Sequence, residues 1–361
     1  MTLLPVSVKI RDEVPSLKVN GWILDDGVLG GQVEDVRRAL DILLTDGTAR
    51  GLELSTEHSV PTPGTSKSAV WCPDIAHDDV DPLGLGVLPI RGPGFVHLGA
   101  PVGSPFFIQG KVKERVDKVA NLLDKLPNLE NAHSEFALLR SCFSLPKVSY
   151  LLRTCSPSPS CLSHWDLFDS NLRNTLNRIL GCSLDEKAWL QAQLPISKGG
   201  LNMRSAKNHA SAAYLSSLLG CKPLIEEVTP SLNLTPNTAE ALDHLNGVLQ
   251  VEAGEEIPEA VVIGMSQKQL SVMVDNSVHS NLLSLAESAR DRARLHSVSL
   301  PHAGDYLLVV PSPSLGLQLR PAEFRTAVLY RLGMPIFAGD GTCVCLQLSD
   351  RFGDHAVGCA F

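Results

Sequence analysis

The sequence predicts a mixed α+β protein, with strands confined mainly to the first hundred residues and helices dominating after them. Three observations carry this. Residues 17–31 contain two short apolar runs broken by Asp-Gly, the pattern of a β-hairpin, and further short strand-like runs follow up to residue 102. From Lys111 onward apolar side chains recur at helical spacing. The last nineteen residues gather three of the nine cysteines, Cys343, Cys345 and Cys359, around His355.

The 361 residues point to two or three units, at roughly 150 residues each. The hydrophobic share, 44%, is enough to build cores and excludes a wholly disordered chain. The 28 glycines and 24 prolines predict long irregular connections. There is no run of about 18 apolar residues, so no membrane span is expected. The start, MTLLPVSVKIRDEV, lacks a basic stretch followed by an apolar core, so no signal peptide is read. The expectation is a soluble intracellular protein, nuclear or cytoplasmic, with reduced thiols. The net charge of −8 argues against a surface coated with phosphate-binding groups. Residues 105–210 depart from that average, with 14 Lys and Arg against 9 Asp and Glu, and are the part suited to face a nucleic acid.

Taken in order, residues 17–31 (LKVNGWILDDGVLGG) read as a β-hairpin with Asp25 and Asp26 at its tip. A helix is expected from Val33 to Thr45, with Val36, Leu40, Leu43 and Leu44 on one face and Gly47 ending it. Gly51–Leu54 reads as a returning strand, residues 59–94 as a long loop, and Val96–Val102 as a short strand interrupted by Gly99. Val112, Val116, Val119, Leu122, Leu123 and Leu126 form the stripe of a first long helix. Ser134–Arg153 is a second helical region, broken at Pro146. Ser160 is the expected cap of a third, which carries Leu162, Trp165, Phe168, Leu172, Leu176 and Ile179. Helices follow over Asp185–Leu194 and Arg204–Leu219. Lys222–Pro258 is acidic and weakly periodic and reads as a linker; a polar helix spans Asn276–His296. The last sixty residues hold a strand (Tyr306–Val310), a helix (Pro321–Leu332) and the Cys/His cluster.

Two adjacent carboxylates repel unless a cation neutralises them. Asp25 and Asp26 therefore read either as a polar turn or as ligands of a divalent ion such as Mg2+, which two-metal nucleotidyl transfer holds between carboxylates and phosphate oxygens. The context resembles a known family. Trp22-Ile23-Leu24-Asp25-Asp26-Gly27 resembles the tyrosine-x-aspartate-aspartate hairpin of retroelement reverse transcriptases, with Ile23 where the tyrosine usually stands. Gly51-Leu-Glu-Leu-Ser55 resembles the next palm motif, with His58 in place of its usual lysine. Val96-His97-Leu98-Gly99-Ala100-Pro101-Val102-Gly103 resembles the primer-grip turn, and Leu194-Pro195 to Gly199-Gly200-Leu201 a segment downstream of the thumb.

The resemblance covers residues 17–210. It implies a partial palm (1–105) followed by a helical thumb-like region (106–221), then an acidic linker with a polar helix (222–300) and a C-terminal region (301–361). Asp25 and Asp26 would hold Mg2+, Leu98 and Gly99 would form the primer grip, and RNA template, DNA primer and dNTP would be the partners. Twenty-four residues precede Asp25 and contain Asp12 and Glu13, but no fingers and no third palm aspartate. The expectation is therefore the C-terminal portion of a polymerase that does not polymerise alone, dNTP binding only if fingers are supplied. The alternative is a non-enzymatic module that binds nucleic acid or protein.

Cys343-Val344-Cys345, nine residues, His355, three residues and Cys359 give CxC-x9-HxxxC. Three thiolates and an imidazole suit tetrahedral Zn2+ in a closed structural site, which can fold a short tail lacking its own core. The other reading is three free thiols with a capping His. Asp354 is placed to orient His355. DRFGDHAVGC (350–359) also resembles a Gly-Asp-His-Ala…Cys signature of retrotransposon polyproteins.

Lys111, Lys113, Arg115 and Lys118 open the first long helix and read either as its wet face or as a track for a nucleic-acid backbone. His77-Asp78-Asp79-Val80-Asp81 contains the Asp-x-Asp of sugar-nucleotide transferases, but no apolar strand precedes it and a solvated loop is expected. Trp165, Phe168 and Trp189 lie on apolar stripes and are expected in the core. There is no Gly-rich phosphate loop, serine nucleophile elbow or HExxH.

Overall fold

The computed structural model describes residues 3–55, 67–72, 88, 92–229, 234–251 and 255–359. They divide into two compact units, Met1–Lys111 with Cys221–Leu234, and Val112–Gly220 with Thr235–Phe361. The architecture is mixed helix and sheet with helix prevailing, as the apolar patterning predicts. Among the described residues every sheet is a two-stranded antiparallel hairpin.

The first unit opens with α1 (Leu4–Glu13), an element that the sequence reading missed. Pro5 sits in its first turn, where a missing N–H costs nothing. Val6, Ile10 and Val14, four apart, form its buried face. Strands β1 (Val19–Ile23) and β2 (Asp26–Gly30) pair from Val19↔Gly30 to Ile23↔Asp26, so the two-residue tip is Leu24–Asp25, and Asp26, expected at the tip, is the first residue of β2. Leu24 takes the positive φ, 58°. Helix α2 (Val33–Ile42) presents Ala39 and Leu40 to Val6 and Ile10, with Trp22 and Leu29 of the hairpin packed alongside.

After α2 the chain keeps coiling through a π-turn (Leu43–Gly47) and a 3-10 turn (Thr48–Arg50). It stops at Gly51, whose φ is 84°, so Gly51 and not Gly47 is the terminator. Gly51–Leu54 is irregular rather than a strand. Most of the expected loop, including His77, Asp78, Asp79 and Asp81, lies outside the described residues, as does His58 before it. Strands β3 (Gly94–His97) and β4 (Ala100–Gly103) make a second hairpin, so the stretch read as one interrupted strand is two. Gly94 faces Gly103, and a Cβ on Gly94 would meet the Val102 carbonyl oxygen at 2.5 Å.

The second unit is helical. Helix α3 (Pro105–Leu123), which belongs to this unit from Val112 onward, begins before the expected Lys111, and buries Val112, Val116, Val119 and Leu123. Helix α4 (Ala132–Leu138) is capped by Asn131 and followed by a π-turn, and α5 (Ser149–Thr154) resumes after Pro146. Helix α6 (Pro159–Leu180) buries Trp165, Phe168, Leu172, Leu176 and Ile179 of the predicted stripe and leaves Leu162 half-buried. Its cap is Ser158, not Ser160, because Pro159 fits the first helical position and leaves the preceding residue extended. Gly181, φ 74°, ends it. Helix α7 (Glu186–Gln193) is capped by Asp185, and α8 (Ala206–Val228) runs beyond the expected Leu219.

The stretch predicted as a linker contains α9 (Thr235–Leu249), whose Ala241 and Leu245 are fully buried against Leu215, Leu219, Leu270 and Val274. Its charged residues lie on the outer face, which is why composition alone concealed it. After the short α10 (Glu259–Val262), the single polar helix expected over 276–296 is two helices, α11 (Gln267–Ser284) and α12 (Ala289–Val298). Each carries its own cap, a Ser266–Gln269 capping box and Ser288. Tyr306–Val310 is not a strand; Asp305–Leu307 forms a 3-10 turn with Leu307 buried. Helix α13 (Pro321–Leu332) matches its predicted bounds. Strands β5 (Gly341–Thr342) and β6 (Leu348–Ser349) and the single turn α14 (Asp354–Gly358) close the unit.

A buried polar network fastens this region. Arg331 is 2% exposed, and its guanidinium donates to the carbonyls of Gly200, Ala303 (2.9 Å) and Ile196 (2.7 Å). Gln191, fully buried, donates to the carbonyls of Gly199 and Arg331 and accepts from Arg294. Carbonyls that no helix or strand would satisfy thus find donors. The Leu194–Leu201 segment that the sequence singled out is therefore a packing corner. There a Cβ on Gly200 would lie 2.0 Å from the Leu194 carbonyl oxygen.

Candidate metal centre

Cys343 and Cys345 lie in the β5–β6 connection, which turns tightly because Leu346 adopts φ 68°. The Leu346 N–H donates to the Cys343 carbonyl (2.8 Å) and the Cys343 N–H to the Gln347 carbonyl (2.9 Å). This folds two thiols two residues apart toward one point. His355 and Cys359 come from α14 and the residue that follows it. Asp350 sets α14 in place, its carboxylate accepting from the N–H groups of Phe352 (2.9 Å), Asp354 (3.2 Å) and His355 (2.9 Å). Those bonds, that of His355 first, hold the Asp350 carboxyl below its usual range.

The four donor atoms lie within 4.8 Å of one another, and all four side chains are half-buried. Cys343 Sγ is 3.7 Å from Cys359 Sγ, and Cys345 Sγ is 3.2 Å from His355 Nε2. Two Zn–S bonds of about 2.3 Å at the tetrahedral angle place their sulfurs ~3.8 Å apart, so the closest thiol pair already spans one edge of such a tetrahedron. The Cys345 N–H, and next the His355 side chain, lower the Cys343 thiol to about 6. The Gln347 N–H pulls Cys345 down, but partial burial and the sulfurs of Cys343 and Cys359 outweigh it and that thiol is raised. The cluster can hold a metal ion.

The structure reassigns Asp354, whose carboxylate binds the Arg290 guanidinium instead of orienting His355. Arg290 also lies over the Phe352 ring at 4.0 Å, and Arg351 covers the same ring at 4.9 Å. Arg290, Phe352 and the capping role of Asp350 went unread in the sequence. The one available signal was an Asp five residues before the ligand His.

Asp25 and Asp26 stand exposed, Asp25 in the turn and Asp26 opening β2. Among the described residues the Cys343–Cys345–His355–Cys359 group is the one gathering of three or more metal-ligating side chains, and neither aspartate belongs to it. Leu98 and Gly99 form the β3–β4 turn, with φ 47° and 83°. On α3, Lys113 pairs with Asp117 (2.6 Å) and Lys118 with Glu114 (2.5 Å), while Lys111 lies over the Phe107 ring at 5.6 Å. Arg115 is exposed. The i,i+4 pairs neutralise much of that helix face. No helix among the described residues is long and apolar enough to cross a membrane.

Comparison with protein-family models, curated proteins and solved structures finds no match to this chain.

Proposed function

We propose that this chain is a reverse transcriptase-like retroelement protein that does not polymerise by itself, and that a structural Zn2+ folds its C-terminal segment. The single observation behind the zinc reading is the approach of three thiols and one imidazole to within 4.8 Å. Zn2+ would be held by Cys343, Cys345, His355 and Cys359, and a bound ion would cross-link β5, β6 and α14, which have too little apolar surface to fold alone. The lineage activity, RNA-directed DNA synthesis on a DNA primer, would use Mg2+ at Asp25 and Asp26. Two exposed carboxylates are a weak Mg2+ site without a third and without substrate phosphate, which supports the inactive reading over the polymerase one.

The zinc reading is tested by metal analysis of the purified full chain and by Co2+ substitution. It expects one zinc per chain and the absorbance of tetrahedral cobalt–thiolate, both lost in Cys345→Ser. No bound metal, or full binding by that variant, overturns it. The polymerase question is settled on an RNA template with a DNA primer and dNTPs. Mg2+-dependent addition abolished by Asp25→Asn would overturn the inactive reading. Binding of the template without addition would favour a nucleic-acid-binding module, for which the net positive charge of residues 105–210 is the supporting observation.

A further inference from the structure

The three sulfurs of the metal centre are not equivalent. Cys345 faces His355 Nε2 at 3.2 Å, whereas Cys343 and Cys359 face each other, Sγ to Sγ, at 3.7 Å. They enter from the two ends of the segment, sixteen residues apart, and both are half-buried, so a small solute reaches them. A disulfide needs its sulfurs about 2.05 Å apart, so this pair must close by less than 2 Å.

We infer that the centre is a reversible redox switch in which a peroxide joins Cys343 to Cys359 and expels the metal; the inference rests on the zinc reading above. The chemistry balances in two steps. One thiolate attacks a peroxide oxygen, the O–O bond breaks, and with one proton taken up the products are a sulfenic acid and water. The second thiolate attacks that sulfenic sulfur, and with another proton the S–O bond breaks, giving the disulfide and a second water. Two thiolates are oxidised by two electrons and one hydrogen peroxide is reduced. The ion keeps only Cys345 and His355 and leaves, because two donors do not make a closed zinc site.

What holds the segment in place besides the ion makes the change reversible. Asp354 remains bound to Arg290, Phe352 keeps the Arg290 and Arg351 guanidiniums over its ring, and Asp350 still caps α14. With the Cys343–Cys359 bond in place of the ion as the cross-link, these contacts hold the segment after the metal has left, so a dithiol reductant and Zn2+ restore the starting state.

The experiment uses the zinc-loaded full chain, hydrogen peroxide as oxidant and a chromogenic chelator to read released metal, followed by peptide mapping without reduction. The expected result is one zinc released per Cys343–Cys359 cross-link, recovered with dithiothreitol and Zn2+. Zinc retained under peroxide overturns the switch alone, as does release accompanied by a cross-link through Cys345 or by sulfinic and sulfonic acids. A chain that holds no zinc before oxidant is added overturns the zinc reading, and the switch falls with it.

Discussion

Arg290 of α12 makes two hydrogen bonds to the carboxylate of Asp354, the residue immediately before the ligand His355. The same guanidinium lies over the ring of Phe352, two residues earlier, at 4.0 Å. One side chain of the helical body thereby fixes both the start of α14 and the ring beside it, while Asp350 fixes the α14 backbone from within the segment. The centre is positioned by residues that donate nothing to the ion.

Removing either support should therefore weaken the metal without removing a ligand. In Asp350→Asn an amide NH2 replaces one of the two oxygens that accept the Phe352, Asp354 and His355 N–H bonds. Zinc affinity, measured by competition with a chelator, is expected to fall roughly 10- to 100-fold. Arg290→Ala should fall in the same direction. Unchanged affinity in both would mean that the ligands position themselves.

The thiols should separate by reactivity in metal-free protein. Cys343, lowered to about 6 by the Cys345 N–H and His355, is expected to be alkylated readily at pH 7, its rate falling off below pH 6. Cys155 is pushed up to about 12 by burial and should resist until the protein unfolds. Mass mapping of iodoacetamide adducts against pH measures both. Equal labelling of the two at pH 7 sinks this reading.

Asp169, 9% exposed, accepts from the Ser205 hydroxyl and from the N–H groups of Ala206 (2.7 Å) and Lys207 (3.3 Å), and so caps α8. Burial pushes its carboxyl up to about 7 against those bonds. A carboxyl raised on folding binds its proton more tightly in the folded chain. Its contribution is then complete below about pH 4 and is lost as the pH rises through 7. Asp169→Asn should cost about 2 kcal/mol at pH 5 through the damaged cap. The gap to the native protein should narrow at pH 8, because only the native chain loses stability over that range. Urea unfolding at the two pH values reads this directly, and a constant gap would contradict it.

Arg331 holds three carbonyls from two separate segments, Ile196 and Gly200 in one and Ala303 in the other. Arg331→Ala leaves Gly200, Ala303 and Ile196 short of partners, at a cost of about 3 kcal/mol. Arg331→Lys should recover only part, since one ammonium cannot imitate a planar fork. Chemical denaturation with full recovery by Lys would mean that charge, and not geometry, matters there.

Local sequence sufficed where the signal was local. The β1–β2 hairpin, the α6 stripe from Trp165 to Ile179, the bounds of α13 and the Cys343–Cys345–His355–Cys359 set were all legible, because periodicity, turn chemistry and ligand spacing act within about twenty residues. Tertiary contacts decided the rest. Helix α9 exists because Ala241 and Leu245 meet Leu215, Leu219 and Leu270, a burial that its acidic composition does not announce. The Leu194–Leu201 segment became a corner because Arg331, more than a hundred residues away, supplies its donors. Asp354 turned from its neighbour His355 to Arg290, which comes alongside only when the chain has folded, so no reading of adjacent residues could have assigned it.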